Sequence, residues 1–154
     1  MPRRPRSELE DGTYHVTARG AGGIPLFRQD VDRLDFLELL ARAVRRFRWT
    51  CPAYCLMGTH YHLVLEAPIP DLSGGMRWLN GTYAQRFNQR HQRRGHLFAA
   101  RFSAWRVRDE RHLEATLSYV LDNPVRAALC QRPEEWLWSG RPHASPAAAI
   151  PATA

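Results

Sequence analysis

The sequence contains no lysine: all 22 of its basic residues are arginine. It has three cysteines, Cys51, Cys55 and Cys130, in 154 residues. A sparse, odd set makes no disulfide framework, and the step from Cys51 to Cys55 is not the spacing of a zinc knuckle or a redox pair. A reducing cytoplasm is the expected compartment. No apolar run approaches the roughly 20 residues that span a bilayer. The charged stretch 1–11 has no apolar segment behind it, so no secretory leader is expected. There is no internal repeat and no Gly-rich strand-to-helix loop of the kind that cradles a nucleotide. The length suits one core rather than two.

What the chain does have is charge in one place. Residues 77–111 hold nine arginines and two acids, Asp109 and Glu110, for a net +7, while the remainder balances. Trp78, Tyr83, Phe87, Phe98, Phe102 and Trp105 are interleaved with these arginines. A localised basic segment carrying aromatics is the footprint expected for a polyanion, most simply a nucleic acid. The alternative is a basic but merely solvated helix face. Arg86, Arg90 and Arg93 fall on one flank of a predicted helix, where planar guanidinium forks suit phosphates. Arg77, Arg94, Arg101 and Arg106 complete the set expected to contact the nucleic acid.

The pattern predicts a flexible N-terminus over 1–11, one domain over 12–140, and an Ala/Pro-rich loose tail over 141–154. Residues 13–19 alternate as a strand. Asp30 is placed to cap a helix whose apolar positions run from Val31 to Val44. Residues 53–66 form a second strand region with a turn or bulge at Gly58. A helix is expected from about 74 to 91, a short strand-like stretch over 97–108, and a helix from Asp109 to about Asn123, where Pro124 interrupts. This order predicts an α+β fold, one sheet with helices mainly on one face.

Two sets of residues could carry chemistry. His60 and His62 are two apart in a strand and point to one face, a half-site for a divalent metal. His15, on the first strand, could line the same face. Two half-exposed polar residues are the bland reading. On the last helix, Leu113, Leu117, Val120 and Leu121 define the buried stripe. Tyr119 lies about 140° from its centre by helical geometry, with Asn123 and His112 on its side. Tyr119 could be a nucleophile beside a ligand-capable amide, or an ordinary surface tyrosine. Tyr83 aligns with Met76, Leu79 and Phe87 and is expected in the core. Asp109, Glu110 and Glu114 suit the first turn of a helix, and Glu66 suits a solvated strand end.

Together the runs Met57–Leu65, containing His60-Tyr61-His62, and Tyr119–Arg126 resemble the single-tyrosine HUH transposases. Tyr14–Gly20, Phe87–His91, Gly95–Phe98 and Arg101-Phe102 are similar to segments of one branch, the REP-associated tyrosine transposases. The resemblance spans roughly residues 12–140, in the family's order. It implies a ferredoxin-like antiparallel sheet of about four to five strands. It implies His60 and His62 as ligands of Mg²⁺ or Mn²⁺, Tyr119 as nucleophile, and Asn123 as third ligand, where the insertion-sequence branch commonly has Gln. The implied reaction is cleavage and rejoining of single-stranded DNA near repeat hairpins through a 5′-phosphotyrosine, by a monomer or homodimer. A free tyrosine ionises only near about pH 10, so a metal or base must assist. Two other readings remain: a non-catalytic binder of DNA or RNA hairpins, and a small metal hydrolase built on the histidine pair.

Overall fold

A computed structural model describes residues 12–68 and 71–141. The expected loose ends at 1–11 and beyond 141 lie outside the described residues. The elements run β1 (Gly12–Arg19), α1 (Asp30–Arg46), β2 (Thr50–Leu56), β3 (His60–Ala67), α2 (Asp71–Arg90), β4 (Ser103–Arg106), α3 (Glu110–Leu121), α4 (Asn123–Arg126) and β5 (Ser139–Gly140). The strands form one antiparallel sheet in the order β4-β1-β3-β2-β5.

Alternation decides what each face of that sheet carries. Tyr14, Val16 and Ala18 of β1, Tyr54 and Leu56 of β2, and Tyr61, Leu63 and Leu65 of β3 are all buried toward α1 and α2. From the helices come Phe36, Leu37 and Leu40, then Met76, Leu79, Tyr83 and Phe87. Full burial of each large side chain stabilises by about 1.5–3 kcal/mol. The other face is covered more thinly. Cys55 and Val64 meet Leu117 and Val120 of α3, with Ala53 and Met57 beside them. The two long helices thus share one face, and α3 packs alone on the opposite one.

Local sequence explains most element ends. The expected strand over 53–66 is a hairpin, β2 to β3, that turns through Met57–Thr59; the Met57 amide donates to the His60 carbonyl (2.9 Å). Asp109 caps α3 as expected, accepting from the His112 amide (2.8 Å). Helix α1 is capped one residue earlier than expected. Gln29 is its N-cap, in a reciprocal capping box with Asp32. The stretch 97–108 contains only four strand residues: Phe98 makes a single bridge to Gly20, with the Ala99 amide donating to the Arg19 carbonyl (2.9 Å), and regular pairing resumes only at Ser103. A glycine is required where β1 ends: a Cβ on Gly20 would lie 2.1 Å from the Ile24 carbonyl oxygen.

Candidate active site

The sheet register assembles a histidine cluster from distant segments. Arg19 pairs with His60 and Thr17 with His62, so His15 lies diagonally from His62 on the same face. The His15 Nε2 and His62 Nδ1 atoms are 2.9 Å apart. Their rings stack with centroids at 5.2 Å and an interplanar angle of 23°. The His60 and His62 rings are 5.1 Å apart. The Nδ1 of His60 is 3.3 Å from the Thr59 hydroxyl. In both His60 and His62, Nε2 has no hydrogen-bond partner among the described residues.

Burial disfavours the charged form of these rings. It is the main cause that lowers the His62 pKa to about 3, with His15, His60, Arg19 and Arg126 adding repulsion of the charged form. His15 is lowered to about 4, first by burial and then by His112. His60 is lowered by burial and by Arg19. Neutral imidazole is the form that binds metals.

Helix α3 brings Tyr119 to the same place. Tyr119 is 50% exposed, as a position off the apolar stripe should be. Its ring lies 5.8 Å from His15 and 6.1 Å from His62, edge-on to both. Arg126 folds back over it from α4. The guanidinium sits 4.1 Å from the ring centroid, and its Nη2 donates to the Tyr119 carbonyl (2.7 Å). Tyr83 differs in every respect: it is 0% exposed, its hydroxyl donates to the Leu26 carbonyl, and burial raises its pKa.

Asn123 follows Tyr119 by one turn. Its amide nitrogen donates to the Tyr119 and Val120 carbonyls (3.3 and 3.5 Å), which leaves Oδ1 as its unused acceptor. Two imidazole nitrogens and an amide oxygen are a donor set that Mg²⁺ or Mn²⁺ accepts. Among the described residues no group of three His, Cys, Asp or Glu side chains is arranged to hold a metal. Cys51 and Cys55 are buried, and burial raises both thiols to about 12.

His15, His62 and Tyr119 open on a cleft of about 280 Å³ whose rim includes Arg19, Arg101 and Trp105. A larger cleft of about 960 Å³ lies between α2 and residues 95–102 and contains Arg77, Phe98 and Arg101. Residues 99–101 form a wall common to both.

The expected arginine set divides. Arg86 pairs with Asp35 (2.6 Å), and Arg90 pairs with Asp32 (2.6 Å) and Asp35 (3.0 Å). Arg93 donates to the Asn88 side chain and to the Gly95 and His96 carbonyls. Two of these three thus pin α2 to α1, and the third closes a loop. Arg77, Arg94, Arg101 and Arg106 are exposed. Sequence reasoning gave no weight to Arg126 or Arg19. An arginine seven residues past the tyrosine, beyond a helix break at Asn123-Pro124, was the available signal for the first.

The family model described as transposase IS200 like matches residues 9–123. No curated protein matches the sequence. Among solved structures, the chain is similar to a REP-associated tyrosine transposase bound to a REP hairpin. The TM-score is 0.74 and the identity 17%, over 90% of this chain and 82% of that one. It is also similar to the tRNA(His) guanylyltransferase of Saccharomyces cerevisiae, with a TM-score of 0.51 and 10% identity over 80% of this chain and 62% of that one. At such identities the likeness is one of fold, and the chemistry has to be read from side chains. Among the described residues no helix is long and apolar enough to cross a membrane.

Proposed function

This chain belongs to the family of IS200-like transposases, and on that premise we propose that it cleaves and rejoins single-stranded DNA through a covalent bond to Tyr119. One observation carries the reading: an exposed phenol stands against neutral His15 and His62 at an arginine-rimmed cleft. The Tyr119 oxygen attacks phosphorus, and the phosphorus–O3′ bond breaks in line. The phenol loses its proton and the departing 3′-oxygen gains one. The product is a 5′-phosphotyrosine with a free 3′-hydroxyl. The phosphodiester bond is exchanged rather than hydrolysed, so rejoining needs no nucleotide cofactor.

His60 and His62, through Nε2, and Asn123, through its amide oxygen, are the residues that would hold Mg²⁺ or Mn²⁺. When bound, the ion supplies positive charge that polarises the scissile phosphate and offsets the charge developing on it. Arg126 restrains the nucleophile by covering one face of its ring. Arg19 and Arg101 hold phosphates on either side of the cut, and Arg77, Arg94 and Arg106 extend the basic track. The exposed ring of Trp105 offers a stacking surface for an unpaired base. The DNA is expected to be a hairpin-forming repeat, the kind of DNA bound in the similar transposase structure.

The test is a denaturing gel. The protein is incubated with Mn²⁺ and labelled single-stranded DNA carrying the repeat hairpins that flank its own gene. A covalent adduct that disappears in Tyr119→Phe and persists in Tyr83→Phe supports the reading. An adduct that survives Tyr119→Phe overturns the choice of nucleophile. Hairpin binding in chelator with no adduct under any condition would favour a non-catalytic hairpin binder, and cleavage without an adduct a metal hydrolase.

A further inference from the structure

We propose that the larger cleft, between α2 and residues 95–102, takes an unpaired nucleotide of the DNA strand. Its base lies against bare helix backbone at Gly81, and its phosphate is drawn to the exposed arginines of that cleft, Arg77 and Arg101. This site, which presupposes the DNA reading above, is separate from the candidate active site and adjoins it.

The lining of the cleft is one-sided in charge. Its volume of about 960 Å³ is that of a ligand site. Met76, Leu97 and Phe98 contribute apolar wall. Among the described residues that line it, Arg77, Arg101 and His96 are the ionisable ones, and none is acidic. An apolar wall beside guanidinium groups suits a ligand with a flat ring and a fixed negative charge, which is what a nucleotide offers. Asn80 adds direction. Its Oδ1 accepts from the Tyr61 hydroxyl (2.5 Å), and its Nδ2 donors enter no hydrogen bond with a described residue. They can meet an acceptor on a base.

Gly81 is what the fold alone leaves unexplained. Residues 77, 80, 81 and 84 run as one stripe of α2 along the cleft, as spacings of three and four require. A glycine inside a helix is less stable than alanine, because it loses more backbone freedom on folding. Gly75, in the same helix, has a packing reason: a Cβ there would lie 2.2 Å from the Trp49 ring. At Gly81 a Cβ would meet nothing within 4 Å. No contact within the described chain calls for a glycine at 81. The space it leaves is exposed and opens on the cleft, where a ring can approach the helix more closely than a side chain would allow.

Continuity of the two clefts points to the strand being cut rather than to a separate molecule. Residues 99–101 wall both, and Arg101 lines both. A strand held at Tyr119 enters the larger cleft by crossing that shared wall.

The test measures binding in chelator, so that no cleavage intervenes. The probe is a fluorescent hairpin from the DNA beside the protein's own gene, either with its single-stranded flanks or trimmed blunt. Flanking bases are also removed one at a time as abasic sites. Wild-type protein is expected to prefer the flanked hairpin, and one abasic position should weaken its binding roughly tenfold, the scale of a lost base contact. Gly81→Leu fills the place of that base. It should bind the flanked hairpin about tenfold more weakly, ignore the abasic position that matters to wild type, and bind the blunt hairpin normally. Gly81→Ala should raise the melting temperature by about 2–4 °C and still lose part of the flank-dependent affinity. Weaker binding by a more stable protein is not misfolding. The proposal is overturned by a Gly81→Leu protein that keeps wild-type affinity for the flanked hairpin or keeps the abasic penalty. Equal loss on the blunt hairpin also overturns it, since the stem rather than an unpaired base would then touch α2. Deoxynucleoside 5′-monophosphates test the other source. If they shift the Gly81 amide resonance to saturation while the flanks add no affinity, the cleft serves a free nucleotide and the strand assignment fails. Failure of the DNA reading itself looks different: wild-type protein then binds neither the flanked nor the blunt hairpin.

Discussion

The two faces of the sheet are made from alternate residues of the same strands, and they do opposite things. One face holds Tyr14, Val16, Tyr61, Leu63 and Leu65 beneath two long helices. The other holds His15, His60 and His62 beside a single helix that covers only part of it. A closed face builds stability, because apolar surface leaves water there. A half-open face can keep neutral imidazoles near a cleft and still admit a polymer. The same contrast divides two tyrosines. Tyr83 is sealed in the first face, and Tyr119 stands at the edge of the second.

The strongest way to sharpen this contrast is to remove each hydroxyl. Tyr119→Phe is expected to abolish adduct formation while changing stability by no more than about 0.5 kcal/mol, as exposed substitutions do. Tyr83→Phe should keep the adduct and lose roughly 1–2 kcal/mol, because the Leu26 carbonyl loses its buried donor. Urea denaturation and the denaturing gel together check both. Phe36→Ala, on the closed face, should cost about 3–5 kcal/mol in denaturation while leaving the histidine cluster in place.

A smaller effect comes from the ion network that stitches α1 to α2. Asp32 is fully buried, and burial alone would raise its pKa. Hydrogen bonds from His91, the Arg28 amide, Arg90 and the Gln29 amide outweigh this and hold it below the usual carboxylate value. A depressed pKa stabilises the fold above the ordinary carboxylate range, and that contribution is lost as pH falls through the lowered value. Asp32→Asn should therefore cost about 2 kcal/mol at pH 7, and the gap to wild type should close as pH drops below about 4. Denaturation midpoints measured across pH check the sign. The smallest effect belongs to Arg126. A cation over an exposed ring is worth about 0.5–1 kcal/mol, so Arg126→Ala should slow adduct formation roughly two- to fivefold without weakening hairpin binding to the same degree. Single-turnover kinetics beside a native gel separate the two.

Much of this was legible along the chain. Alternation in residues 13–19 and 60–66 reports which side chains go inward, because the strand period of two is written locally. The stripe of Leu113, Leu117 and Val120 reports that Tyr119 faces away, because a helix repeats every 3.6 residues. The fate of the basic window was not legible. Nine arginines in 35 residues look alike in sequence. Asp32 and Asp35 reach Arg90 and Arg86 across more than 50 residues, and no local period records that pairing. The break in the stretch 97–108 was hidden for a similar reason. Leu97 and Phe102 are buried by packing beside α2, so their apolar character reads as strand when only neighbours are counted.

The sequence by itself determined most of the strands and helices and their inward and outward residues, since these follow from short-range spacing, while the link between the histidine pair and Tyr119 came from the family resemblance. Tertiary structure alone decided that His15 meets His62, that α3 stands on the face opposite the long helices, and that Arg86 and Arg90 serve packing. Each of these depends on strand register or on contact between segments far apart in the chain. Such contacts form when the sheet closes and surface is buried, and short-range spacing carries no record of them.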